Sequence, residues 1–162
     1  GGPPIDPARA KEDRMKRLVS GPLDGRGRRS IYIKMTLMEP PRFLATFNQP
    51  MPRVCVGRRD RSTVPEQALA LLNDPFVLAT AETWAAKTAA AKPANVAAGV
   101  EAMLAAALGR TPDPADVARL VAVADHCGLA RGVPSGERAA SPAVWKDVAH
   151  AIFLMQEFTH VE

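Results

Sequence analysis

Four times between residues 63 and 142 a residue able to cap a helix stands just ahead of a proline: Thr63-Val64-Pro65, Asp74-Pro75, Asp113-Pro114 and Ser141-Pro142. Apolar residues three and four apart follow each one. Proline fits the first turn of a helix, where its missing N–H is one of the unpaired donors anyway, and it breaks a helix anywhere deeper. The pattern therefore dictates a succession of short helices with fixed starting points. The spacing predicts a first helix over about 63–72, opened by a capping box in which Thr63 takes the Glu66 amide and Glu66 reaches back. A second runs over about 75–91, with Val77, Ala81, Trp84 and Thr88 on one face and Phe76 and Thr80 at its edge. A third, 96–108, is capped by Asn95, carries Val100, Met103, Leu104 and Leu108, and stops at Gly109. A fourth turns Val117, Leu120, Val121 and Ala124 inward and closes at Gly128. Residues 131–140 read as a polar loop. A fifth helix runs from Ser141-Pro142 to about Phe158, with Val144, Trp145, Val148, Ile152 and Met155 inward. Such helices with short connections pack as a bundle. Trp84 and Trp145 would supply its bulk, each with a partner for its indole N–H.

The first part of the chain has a different character. Residues 1–62 hold 14 Lys+Arg against 6 Asp+Glu, a net of +8, and eight of the 15 prolines. Residues 63–162 hold 7 against 11, a net of −4. The expected organisation is a basic, Pro-rich arm over 1–62 and an Ala-rich helical bundle over 63–162. In the arm, residues 8–19 have helix-forming composition. Residues 29–38 alternate Ile31, Ile33, Met35 and Leu37 with Tyr32, Lys34 and Thr36 and predict a strand. Residues 54–56 could pair with it in a small β-hairpin, which would need other elements to pack on. The fold class is thus mainly α: four or five helices preceded by an arm with at most a small hairpin.

No apolar run approaches the ~20 residues that span a bilayer. The chain opens on Gly1-Gly2-Pro3-Pro4 with no signal-peptide apolar core, and reads as a processing product or an excerpt of a longer chain. Cys55 and Cys127 form neither CxxC nor CxxCH; a disulfide between them and two isolated buried thiols both fit, the second more simply.

The densest charge feature is Arg53-Val54-Cys55-Val56-Gly57-Arg58-Arg59-Asp60-Arg61, next to the first predicted helix start. Guanidinium groups there could grip an anion such as phosphate, sulfate or an acidic sugar. The same arginines, with Arg28 and Arg29, could instead tie an irregular arm through carboxylates and carbonyls, and that reading is favoured. Nucleic acid is disfavoured: the basic half holds Tyr32, Phe43 and Phe47 but no helix-turn-helix, zinc-finger or RNP pattern. In Asp125-His126-Cys127, adjacent side chains on a helix point about 100° apart, so His and Cys do not share a site, and no zinc spacing occurs. His150 and His160 have no indicated catalytic partner. P-loop, GxGxxG, GxSxG and HExxH are all missing.

Several blocks, taken in order, resemble one family. They are Gly1-Gly2-Pro3, Arg28-Arg29-Ser30-Ile31-Tyr32, Phe47-Asn48-Gln49-Pro50, and Cys55 with Arg59, Thr63 and Pro65. Gln67-Ala68-Leu69 and Leu71-Leu72-Asn73-Asp74-Pro75-Phe76 follow, the most specific stretch. Leu108-Gly109-Arg110-Thr111-Pro112, and Trp145-Lys146-Asp147-Val148 through Glu157-Phe158, complete the series. The whole is similar to the planctomycete domain of unknown function fifteen fifty-three, found at the C-terminus of large secreted proteins with an upstream cytochrome c domain. The sequence departs from that pattern at Asn48, where Asp is usual, and at Leu154-Met155-Gln156, where Asn-Ser-Asn is usual. The resemblance implies an extracytoplasmic setting and upstream domains of the same polypeptide as partners. It also implies haem c in one of those domains and no cofactor in this chain. It carries no settled activity. The leading expectation is a structural or interaction module without chemistry of its own. The alternatives are an anion-gripping part of an active site completed upstream, through Arg58, Arg59 and Arg61, and nucleic-acid binding through the basic arm.

Overall fold

The computed structural model describes residues 8–9, 18–19, 29–35, 40–51, 53–58 and 64–159. The chain divides into two compact units, Gly1–Ala70 and Leu71–Glu162.

In the first unit, β1 (Ala8–Arg9) pairs antiparallel with β2 (Leu18–Val19), Ala8 opposite Val19 and Arg9 opposite Leu18. The two ends of the predicted 8–19 helix are therefore strand, and its middle lies outside the described residues. The predicted 29–38 strand is also corrected over residues 29–35, while 36–38 lie outside the described residues. Ser30–Tyr32 form a 3-10 turn, closed by the Tyr32 N–H on the Arg29 carbonyl and the Ile33 N–H on the Ser30 carbonyl. Residues 53–58 contain no strand, so the small hairpin lies earlier in the chain than expected. Alternating apolar residues favour a strand only where another strand is at hand to receive them; here local 3-10 bonds satisfy the backbone instead.

Helix α1 (Arg42–Thr46) ends in a Schellman turn. The Gln49 N–H bonds the Leu44 carbonyl and the Asn48 N–H bonds the Ala45 carbonyl, both at 3.0 Å. Asn48 stands in the left-handed region at φ 57°, which Asn tolerates better than most residues, and Pro50 follows. The Phe-Asn-Gln-Pro block is thus a helix stop.

Helix α2 (Pro65–Asn73) begins one residue later than expected, with Val64 before it. Gln67 reaches back along the first turn, its Oε1 facing the Val64 N–H at 3.5 Å. Gln67 also donates to the Thr46 carbonyl at 3.0 Å. Thr63 lies outside the described residues. The division between the two units falls within α2.

In the second unit, α3 (Pro75–Ala90), α4 (Val96–Leu108), α5 (Pro114–Ala130) and α6 (Pro142–Phe153) form the bundle. The caps of α3, α4 and α5 follow the sequence closely, whereas Ser141 precedes α6 without a side-chain cap bond. Asp74 accepts from the Phe76 N–H, Asn95 from Ala98 and Asp113 from Ala115, at 2.8 to 2.9 Å. Gly109 ends α4 at φ 67°. Helix α5, however, runs through Gly128 and stops in a Schellman turn at Gly132, φ 68°. There the Val133 N–H bonds the Gly128 carbonyl and the Gly132 N–H bonds the Leu129 carbonyl. Gly128 serves close packing instead: a Cβ there would lie 2.7 Å from Arg138 Nε. Residues Ser135–Ala140 of the predicted loop form a 3-10 helix.

Helix α6 is the centre of the bundle. Val144, Trp145, Val148, Ala149 and Ile152 are fully buried, and α6 packs on α3, α4 and α5. Ala81 and Ala85 on α3 are buried too and let the α6 axis come close. Met103 and Leu104 of α4 and Leu120 and Ala124 of α5 close the core. Burying one Val, Leu or Ile side chain is worth roughly 1.5–3 kcal/mol, so α6 alone carries much of the unit's stability. The predicted fifth helix does not reach Phe158 unbroken. It ends at Phe153, and a short α7 (Gln156–Thr159) follows after Leu154 and Met155. Trp145 is wholly buried, and its indole N–H donates to the Ala139 carbonyl at 2.9 Å, while Trp84 is only half-buried and stacks on Phe153.

Candidate functional site

Of the arginines singled out in the arm, Arg29 and Arg58 are exposed, and Arg28, Arg59 and Arg61 lie outside the described residues. Arg29, Ser30, Ile31 and Tyr32 line a shallow surface depression. Cys55 is a free thiol and exposed, contrary to the buried state expected of it; Cys127 is free and half-buried.

The bundle uses its own charges in pairs that join one element to another. Arg138 Nη1 meets Asp125 Oδ1 at 2.6 Å, Lys146 Nζ meets Glu82 Oε1 at 3.0 Å, and His150 Nε2 lies 3.0 Å from the Leu71 carbonyl. That carbonyl can only accept, so the Nε2 of His150 carries the proton. Asp125, His126 and Cys127 do part company. Asp125 goes to Arg138, His126 to solvent and Cys127 toward Asp147 on α6. Arg131 grips the same Asp147 with two bonds, Nε–Oδ2 at 2.7 Å and Nη2–Oδ1 at 2.9 Å.

Burial pushes the Cys127 thiol above its ordinary value, and the charge and hydrogen bond of Asp147 push it further, with Arg131 opposing. Both effects favour the protonated thiol of Cys127 and lower its thiolate fraction. In Asp147→Asn the midpoint of its thiol alkylation rate against pH should move down, while in Arg131→Ala it should move up. An unchanged midpoint in both folded variants would show that Asp147 does not govern the thiol.

The most developed polar geometry is at the end of the bundle. Arg110, in the connection after Gly109, meets Glu157 of α7 with Nε–Oε1 and Nη2–Oε2, both at 2.6 Å. Its Nη1 donates to the Thr111 carbonyl at 3.0 Å, and Nη2 also lies 3.5 Å from Asp116 Oδ2. Asp116 in turn meets Arg119 at 2.9 Å. The hydrogen bonds from Arg110 hold the Glu157 carboxyl below its ordinary value, and the Glu157 hydrogen bond raises Arg110. Because the folded Glu157 lies below the free-chain value of 4.5, any stabilisation from this pair is complete above that pH and is lost as pH falls through the lowered value. Sequence reasoning quoted both residues but did not join them; they stand 47 positions apart, and no local signal links them.

Chemically, this is a guanidinium fork that holds a carboxylate, and the residue after that carboxylate, Phe158, joins a row of rings. Trp84 stacks on Phe153 with centroids 5.5 Å apart, and Phe153 meets Phe158 at 5.1 Å. Among the described residues no group of His, Cys, Asp and Glu comes together to hold a metal ion, and no helix is long and apolar enough to cross a membrane.

The family model of PSD1, a protein of unknown function (DUF1553), matches residues 1–124 of the 162. The chain belongs to the PSD1 family. The matched stretch contains Arg110 and ends within α5, so Asp147, Trp145 and Glu157 lie beyond the part on which PSD1 membership rests. No curated protein and no solved structure matches this PSD1 chain.

Proposed function

We propose that this PSD1 chain is a structural and interaction module of a larger secreted, planctomycete-type protein, without chemistry of its own. The observation that carries the reading lies on the unit that holds the bundle: Leu72, at the end of helix α2, is 46% exposed. A large apolar side chain left in water there is suited to a partner. The bundle supports the same reading: four of its ion pairs join one element to another. The upstream domains of the same polypeptide are the partner proposed. Haem c, which the chain cannot attach because it has no CxxCH, is assigned to one of them.

The test is Leu72→Asp. The variant should keep its melting temperature and lose association with the separately expressed upstream part in gel filtration. Retained association, or failure of the unaltered chain to associate at all, would overturn the reading. A second reading is favoured by the depression at Arg29: an Arg-rich anion-binding part of an active site completed by upstream residues. Sulfate or phosphate would then raise the melting temperature, and Arg29→Ala would abolish the rise.

A further inference from the structure

The end of the bundle holds a ligand-like segment of the chain's own. Helix α7 has four residues, none of them buried, and packs on α4 and α6. It follows Leu154 and Met155, whose N–H groups still bond back to the last carbonyls of α6, Met155 in 3-10 fashion to Ile152. Two consecutive side chains anchor it. Glu157 fills the Arg110 fork, and Phe158 lies on the ring of Phe153.

Both receiving groups have contacts besides α7. Arg110 donates to the Thr111 carbonyl at 3.0 Å and lies 3.5 Å from Asp116, and Phe153 belongs to α6 with Trp84 stacked on its ring. Lifting Glu157-Phe158 away would free the Arg110 guanidinium and the face of Phe153, which two consecutive residues now cover. That combination recognises a carboxylate followed by an aromatic ring.

We propose that Arg110 and Phe153 form a docking site for an acidic–aromatic peptide segment of a partner, kept occupied within the chain by Glu157-Phe158. The occupant already seen defines the chemistry. The bidentate pair selects a carboxylate over an amide, and the ring contact selects an aromatic neighbour. A tethered segment acts at an effective concentration in the millimolar range, so it holds off weaker competitors and yields to a tighter or locally concentrated one.

The test uses the full chain and a labelled peptide of its own residues 154–162 (LMQEFTHVE), read by fluorescence polarisation. In Glu157→Ala with Phe158→Ala the site is vacated. The peptide should bind this variant saturably, and at least about tenfold more tightly than it binds the unaltered chain, because the tethered competitor is gone. Adding Arg110→Ala should abolish binding, and so should a Glu→Gln change in the peptide. Four results would each overturn the proposal. They are no saturable binding to the vacated variant, equal binding with and without Arg110, equal affinity for the unaltered chain, and loss of the helical circular dichroism of the vacated variant. The last would mean that α7 is an integral part of the core and not a separable occupant.

Discussion

Trp145→Ala should cost the bundle about 3–5 kcal/mol, the range for removing a large buried aromatic side chain. The side chain is wholly buried on the central helix, and it closes against α4 at Gly99. Its removal opens a cavity between packed helices that relax only in part. It also strips the Ala139 carbonyl of its 2.9 Å indole donor. For a unit of this size each kcal/mol is worth roughly 4–8 °C, so the loss should be plain in a thermal melt followed by circular dichroism. Trp145→Phe separates the two contributions. It keeps much of the volume and loses the hydrogen bond, so it should fall well short of the alanine variant. A melting temperature unchanged by Trp145→Ala would mean that the indole does not fill the core.

Gly99→Ala should also destabilise, although in most helices the same exchange helps. Alanine is favoured over glycine by up to about 1 kcal/mol in a helix interior. At position 99 that gain is reversed, because a Cβ would overlap Cη2 of Trp145 and lie 2.7 Å from Cζ2 and 3.2 Å from Pro93 Cγ. None of these atoms is the free end of a flexible chain: the indole is held at its nitrogen and Pro93 is a ring. Overpacking of this kind costs about 1–3 kcal/mol. The decisive comparison is a double-mutant cycle. In the Trp145→Ala background the clash disappears and Gly99→Ala should be neutral or stabilising, so the two changes should be strongly non-additive. Additive losses would place the cost of Gly99→Ala somewhere other than the indole.

These two residues also show where the sequence is informative. The apolar spacing of α6 marks Trp145 as inward-facing, and the glycine at 109 marks the end of α4, because both signals are local. Asp74, Asn95 and Asp113 cap as their positions before a helix suggest, for the same reason. Gly128 and Gly132 are four residues apart, and either could end α5 on local grounds. Only Arg138, folded back from the following 3-10 helix onto Gly128, decides between them. Gly99 carries no local mark at all; its role exists only because Trp145 arrives from 46 positions away. The arm is harder still. Ile31 and Ile33 alternate like a strand, yet the chain turns at Ser30–Tyr32, and the two paired segments are too short to leave a pattern. At the candidate site the same division holds: the blocks carrying Arg110 and Glu157 are visible, and their pairing is not.

The central place of α6 bears on how this family should be delimited. The stretch that identifies the family stops at residue 124, inside α5, whereas the helix that fills the middle of the bundle starts at Pro142. A polypeptide trimmed at that point would leave Val77, Ala81, Ala85, Val100, Met103 and Leu104 facing water along two helices. Surfaces of that kind drive aggregation. The recognisable signature and the cooperative folding unit are therefore different lengths of chain. Expression boundaries for relatives are better drawn beyond the counterpart of Phe153 than at the end of the signature.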